Sequence, residues 1–138
     1  MKAILALILV LAAGSATTAA AKSTPTSGRL HVTKECSQYD GTVGSFCTIV
    51  SANIDAIKPG TRVVYLSAPS DGTLDADILL SSPDGSEANG HVVLDLAKAK
   101  GRVTFAGGTG ALAGFEASAK VSVDSSGAWH WDGSYSFD

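Results

Sequence analysis

Three histidines, a pair of aspartates, two cysteines and a glycine stretch are the residues whose types and spacing could do chemistry. Histidine titrates near neutral pH and can serve as acid, base or metal ligand. His31 lies between Leu30 and Val32, and His130 between Trp129 and Trp131. In an extended strand that alternation puts both histidines on the polar, outward face. His91 shares a face with Val93 and Asp95, which suits the rim of a barrel mouth. Asp75 and Asp77 in "LDADILL" stand two apart on one strand face. Paired carboxylates can divide acid and base roles when their surroundings split their pKa values, and they can contribute to a calcium site. Here Leu74, Ala76, Ile78 and Leu80 take the opposite, inner face, so the aspartates are expected outside in water. No G-x-S-x-G elbow and no H-E-x-x-H spacing occurs. Hydrolysis by an activated serine or a bound metal therefore lacks support, and no catalytic residue, metal ligand or cofactor is assigned.

The stretch "FAGGTGALAGF" (105–115) holds four glycines in eleven residues, and 108–113 fits the dinucleotide fingerprint G-x-G-x-x-G/A. A true fingerprint opens a helix whose N-terminus faces the pyrophosphate. The residues after this one alternate instead: Phe115, Ala117, Ala119, Val121 and Val123 on one face, Glu116, Ser118, Lys120 and Ser122 on the other. A period of two means a strand. The glycines are therefore expected to turn a corner between strands, where positive φ or close backbone approach is needed.

Period two runs through the rest of the chain. Alternating segments are expected at 29–34, 46–52, 61–68, 73–81, 90–97, 101–106, 115–124 and 128–137, separated by turn chemistry such as "PSDG" and "SPDGSEANG". "LDLAKAK" (94–100) is read as a strand end plus a turn. The fold class is all-β: a single antiparallel barrel of eight strands at 29–138, after a flexible leader at 22–28. Eight strands enclose about enough space for packed side chains or one small ligand.

The N-terminus reads as a secretory signal peptide at 1–21: Lys2, an apolar run over 3–13, and small residues ending in Ala19-Ala20-Ala21. The run falls short of the roughly 20 apolar residues that span a bilayer. A secreted or periplasmic protein with no membrane span after cleavage is expected. In that setting Cys36 and Cys47, which bracket "CSQYDGTVGSFC", favour a disulfide worth about 3 kcal/mol. Two free thiols or half of a metal site are the rivals, though the C-x₂-C grouping of zinc sites is missing. The formal charge of −3 gives no basic face for nucleic acid.

"GRVTFAGGTGALAGF", the small-residue strand after it and "WHWDGSYSF" resemble the bacterial secreted members of the allene oxide cyclase-like barrel family, whose fold the dirigent proteins share. "NGHVVLDL" and "GSFCTIVSANI" with "PGTRVVYLSA" extend the similarity over most of 29–138. The resemblance implies an eight-stranded barrel with an internal pocket. It also implies a homo-oligomer, since plant members often form trimers. Plant cyclases hold a flexible fatty-acid epoxide in shape, with an acidic residue near the first strand. Glu35 is the nearest acid here, but its flanks depart from that pattern and it is not given the role.

Trp129, Trp131, Tyr135 and Phe137 share one face of the last segment, and Ala117, Ala119 and Gly133 leave room opposite them. Large rings facing small residues either pack a solid interior or wall an apolar cavity with tyrosine as a polar handle. Tyr65, Phe115, Trp129, Trp131 and Tyr135 are the expected pocket lining. The leading expectation is a barrel that binds a small apolar or amphipathic ligand. The alternatives are a cyclase or isomerase that steers a lipid-derived substrate by shape, and an oligomeric interaction module built on the aromatic strand.

Overall fold

The computed structural model describes residues 26–138. The expected signal peptide and most of the leader lie outside the described residues. Eight antiparallel strands close into a barrel in sequence order: β1 (Ser27–Glu35), β2 (Phe46–Ala52), β3 (Arg62–Tyr65), β4 (Thr73–Ser81), β5 (Glu87–Asp95), β6 (Lys100–Gly108), β7 (Phe115–Val123) and β8 (Trp129–Phe137). β1 closes the ring by pairing with β8, Val32 opposite Trp131 and Lys34 opposite Trp129. Closure leaves no unpaired sheet edge, which is how an all-β chain avoids pairing with another. Among the described residues there is no α-helix, and one 3₁₀ turn occurs at Gly110–Leu112. None of their helices is long and apolar enough to cross a membrane.

β2 and β4 begin and end where the alternation places them, and the other six strands differ by one to three residues at one or both ends. β1 starts at Ser27, inside the expected leader, because Ser27 and Gly28 pair with Ser136 and Tyr135. β3 stops at Tyr65, since "VVYLSA" is apolar on both faces and gives no signal for its end. β5 starts at Glu87, where "SEANG" reads as a turn. Its Glu87 and Ala88 pair with Ser81 and Leu80, and a bulge lies between Ala88 and Gly90 on the β6 side.

Antiparallel order sends the β1–β2, β3–β4, β5–β6 and β7–β8 connections to one end of the barrel, here the upper mouth. The lower mouth carries the other connections and is plugged by Ile57 and Leu112, both fully buried. Leu112 is set there by the glycine stretch, which turns a corner as expected. Ala111 N donates to Ser86 Oγ at 2.9 Å, and Thr109 N to Glu87 O at 2.8 Å. The fingerprint match leads into a three-residue turn and then β7, so there is no helix to face a phosphate.

The middle of the barrel is filled. Phe105 packs on Phe115 and Trp131 with ring centroids 5.5 and 5.4 Å apart, and Phe115 on Phe137 at 5.3 Å. Tilted aromatic contacts of this kind contribute beyond their buried area. The room expected at Gly133 is taken by the neighbouring strand. A Cβ there would stand 2.0 Å from Ser118 O, so the glycine permits close approach of β7 and β8.

Candidate functional site

Period two along β1 turns Leu30 and Val32 inward, and the next inward position is Lys34. Its side chain is only 4 % exposed. Lysine is almost never buried without a partner charge, and here none is found: the salt bridges among the described residues all belong to histidines. Lys34 Nζ donates instead to Tyr65 Oη at 2.5 Å. It also lies 5.3 Å from the Tyr65 ring centroid and 5.2 Å from that of Trp131, within range of cation–π attraction. Burial in these apolar surroundings disfavours the charged form and pulls the lysine from 10.5 down to about 7. Burial pushes the Tyr65 hydroxyl the other way, above its ordinary value, with a smaller contribution from Tyr39. Tyr65 thus remains a protonated donor wherever the protein is folded near neutrality.

These two residues face a cavity of about 60 Å³ beneath the upper mouth. Lys34, Tyr39, Tyr65, Leu74, Leu94 and Trp129 line it together with the half-cystines and Leu96. The expected disulfide joins Cys36 and Cys47, linking the end of β1 to the start of β2. Tyr65 Oη lies 3.5 Å from Cys47 Sγ, and the Tyr39 and Tyr65 rings meet at 4.7 Å. Tyr39 Oη is buried with no hydrogen-bond partner. A buried hydroxyl without a partner carries a desolvation cost that a ligand atom could relieve. The cavity can therefore hold a few apolar heavy atoms and offer a polar atom the Lys34 amine and the Tyr65 hydroxyl, with Tyr39 on the same wall. Exposed Val43, Leu66 and Leu96 on the connections, and Val123 at the end of β7, ring the same mouth with apolar surface.

The expected lining residues divide among three places. Tyr65 and Trp129 lie on the cavity wall. Phe115 and Trp131 belong to the packed middle of the barrel, with Trp131 only 1 % exposed. Tyr135 is buried against Phe137 and reaches an open groove of about 420 Å³ on the outer surface over Ala117, Ser118, Ser134 and Ser136. Small residues, Ala117, Ser118, Ser134 and Ser136, make up most of its lining, and it holds no buried polar group. Lys34 was missed because lysine is read as an outward residue by default. The signal that could have found it is its place two residues after Val32 in a strict alternation.

The histidines sit outside. His31 Nδ1 pairs with Asp132 Oδ1, and His130 Nε2 lies 2.6 Å from Asp124 Oδ2. His91 is on the outer face and not at a mouth: it sits mid-strand, opposite Asp77 on β4. Its Nε2 meets Asp75 at 2.6 Å and its Nδ1 meets Asp77 at 2.8 Å. With both ring nitrogens donating to carboxylates the imidazolium is favoured, so its pKa is raised, chiefly by the Asp77 hydrogen bond. The two aspartates are thus outward and solvated, as the alternation indicates, and serve as partners of a histidine. No group of three or more His, Cys, Asp or Glu residues placed to hold a metal ion occurs among the described residues.

No protein-family model, no curated protein and no solved structure matches this chain.

Proposed function

We propose that the protein is an exported binding barrel that takes a small apolar or amphipathic ligand at its upper mouth. The observation that carries this reading is the Lys34–Tyr65 pair buried against an apolar cavity, with Tyr39 Oη left without a partner beside it. A ligand would place an apolar segment against Leu74, Leu94 and Trp129 and a polar atom against the Lys34 amine and the Tyr65 hydroxyl. The apolar rim of Val43, Leu66, Leu96 and Val123 would cover the part that stays outside. Export is supported by the disulfide, a bond that persists in oxidising compartments. Membership of the allene oxide cyclase-like family is part of the same proposal, supported by the resemblance of the glycine corner and last strand.

The cyclase reading has one observation in its favour, a lysine and a tyrosine in direct hydrogen bond that could shuttle a proton. Size weighs against it. A cavity of about 60 Å³ is far below the roughly 300–1,000 Å³ of sites that enclose a drug-sized molecule.

Titration with straight-chain alcohols of increasing length, followed by tryptophan emission, tests the binding reading. Saturable binding of the shortest members is expected, with affinity falling in Leu94→Phe, which fills the cavity. A flat response across the whole series would remove the upper mouth as a ligand site.

A further inference from the structure

We propose that Lys34 captures small apolar aldehydes covalently, its Nζ condensing with the carbonyl carbon to form an imine inside the upper-mouth cavity. The inference rests on the binding reading for its site and goes beyond it by naming the reactive class.

Four features of the site point to a carbonyl compound. Lys34 Nζ is buried with no carboxylate partner among the described residues, and it faces a cavity with room for another molecule's atoms. An amine desolvated in an apolar pocket is the form that attacks carbonyl carbon. Its lowered pKa agrees with this, leaving a large share of the amine neutral at pH 7. Tyr65 Oη, 2.5 Å from Nζ, supplies a protonated hydroxyl beside the attacking amine, and Tyr39, whose Oη has no partner, lines the same cavity. The narrow cavity selects the class further. An aldehyde carries one chain on its carbonyl carbon and a ketone carries two, so a space of about 60 Å³ suits the aldehyde.

The step balances without an oxidant or reductant. The nitrogen lone pair bonds to the carbonyl carbon, and the π pair moves to oxygen, which takes a proton from Tyr65. The nitrogen gives up one proton to the tyrosinate, restoring it, and a carbinolamine results. Loss of the hydroxyl with a further proton then releases water as the C=N bond forms. Water is the only other product.

The test uses the full chain with butanal and cyanoborohydride at pH 7, followed by peptide mapping of butyl-lysine. Lys58, Lys98, Lys100 and Lys120 are exposed and act as internal references. Lys34 should be labelled at least about tenfold faster than any of them, because burial keeps a large share of its amine neutral at pH 7 and the neutral, desolvated amine is the nucleophile. Tyr65→Phe should slow the Lys34 adduct severalfold and leave the reference sites unchanged. Labelling of the references while Lys34 stays free, or labels no faster than they do, overturns the proposal. Butanol, of the same shape without the electrophile, is titrated in parallel. Saturable butanol binding with no preferred Lys34 adduct sinks the imine and leaves the binding site standing. Absence of both sinks the two together.

Discussion

A lysine inside a barrel is a cost to folding unless something else is gained. Taking an ammonium from water into apolar surroundings is expensive, and one hydrogen bond and two ring faces offset only part of it. Lys34→Met keeps the shape and removes the charge, so it is expected to raise stability. The sign with pH is set by the lowered pKa. Between about 7 and 10.5 the unfolded chain holds a proton on Lys34 that the folded chain has lost. Stability therefore rises with pH across that window. The other titratable groups facing Nζ are Tyr65 and Tyr39, both shifted upward, and they act only near the top of the window. Urea denaturation of wild type and Lys34→Met at pH 7 and pH 9.5 isolates the lysine. The variant's advantage should be on the order of a few kcal/mol at pH 7 and should shrink by pH 9.5. An advantage that stays constant, or a variant less stable than wild type at pH 7, contradicts a desolvated amine. Continued from Leu30 and Val32, the alternation leads to Lys34 on the inner face, a place that the polarity of lysine argues against. What it does not carry is the absence of a partner, because Tyr65, Tyr39 and Trp129 come from other parts of the chain.

At the level of elements, strand number and the place of each strand to within a few residues were legible because alternation is a local property. The boundaries that moved are those where pairing decides. β5 begins early because Glu87 and Ala88 find partners on β4, although "SEANG" reads as a turn on its own. The glycine corner shows how a phosphate-cradle pattern can serve a turn. Gly110 has φ +59°, and a Cβ on it would meet Ser86 Oγ at 2.5 Å. Gly108 has no such φ, but its Cβ would stand 2.4 Å from Glu87 O and 2.5 Å from Leu112 O. Gly110→Val forces a β-branched residue into the left-handed region, and Gly108→Val pushes two backbone segments apart. Each should lower stability by at least about 2 kcal/mol, through the lower mouth where Leu112 is seated. Melting temperatures unchanged from wild type for both would show that the corner tolerates side chains and that this account of it is mistaken.

For the molecule as a whole, the packed middle divides the barrel into a plugged lower mouth and an upper mouth with a small cavity. Whether the interior was solid or hollow could not be read from β8, because its rings suit either arrangement. The rings of Phe105, Phe115 and Trp131 meet in the middle and fill it, and a contact such as Phe105 on Trp131, between strands that do not pair, is a property of the closed ring. The upper mouth is held by its own crosslink. Cys36–Cys47 closes a loop with a sequence separation of 11, which on the chain-entropy estimate contributes about 3 kcal/mol. The barrel itself does not depend on it, because eight strands already close around a continuous core. Reducing the wild-type protein, or replacing Cys36 by Ala, should therefore lower the melting temperature by on the order of 10 °C and leave the far-UV spectrum of the barrel intact. The same change bears on function, since the crosslinked loop carries Tyr39 over the cavity against Tyr65. Freed of the bond, the loop must lose part of its freedom before a ligand binds, so short-alcohol affinity should fall as well. Gly110→Val supplies the control, as it weakens the opposite mouth. At matched loss of stability, the corner variant should keep its affinity and the reduced protein should not. Equal affinities in the two would separate the disulfide from the ligand site and leave it a device of stability alone.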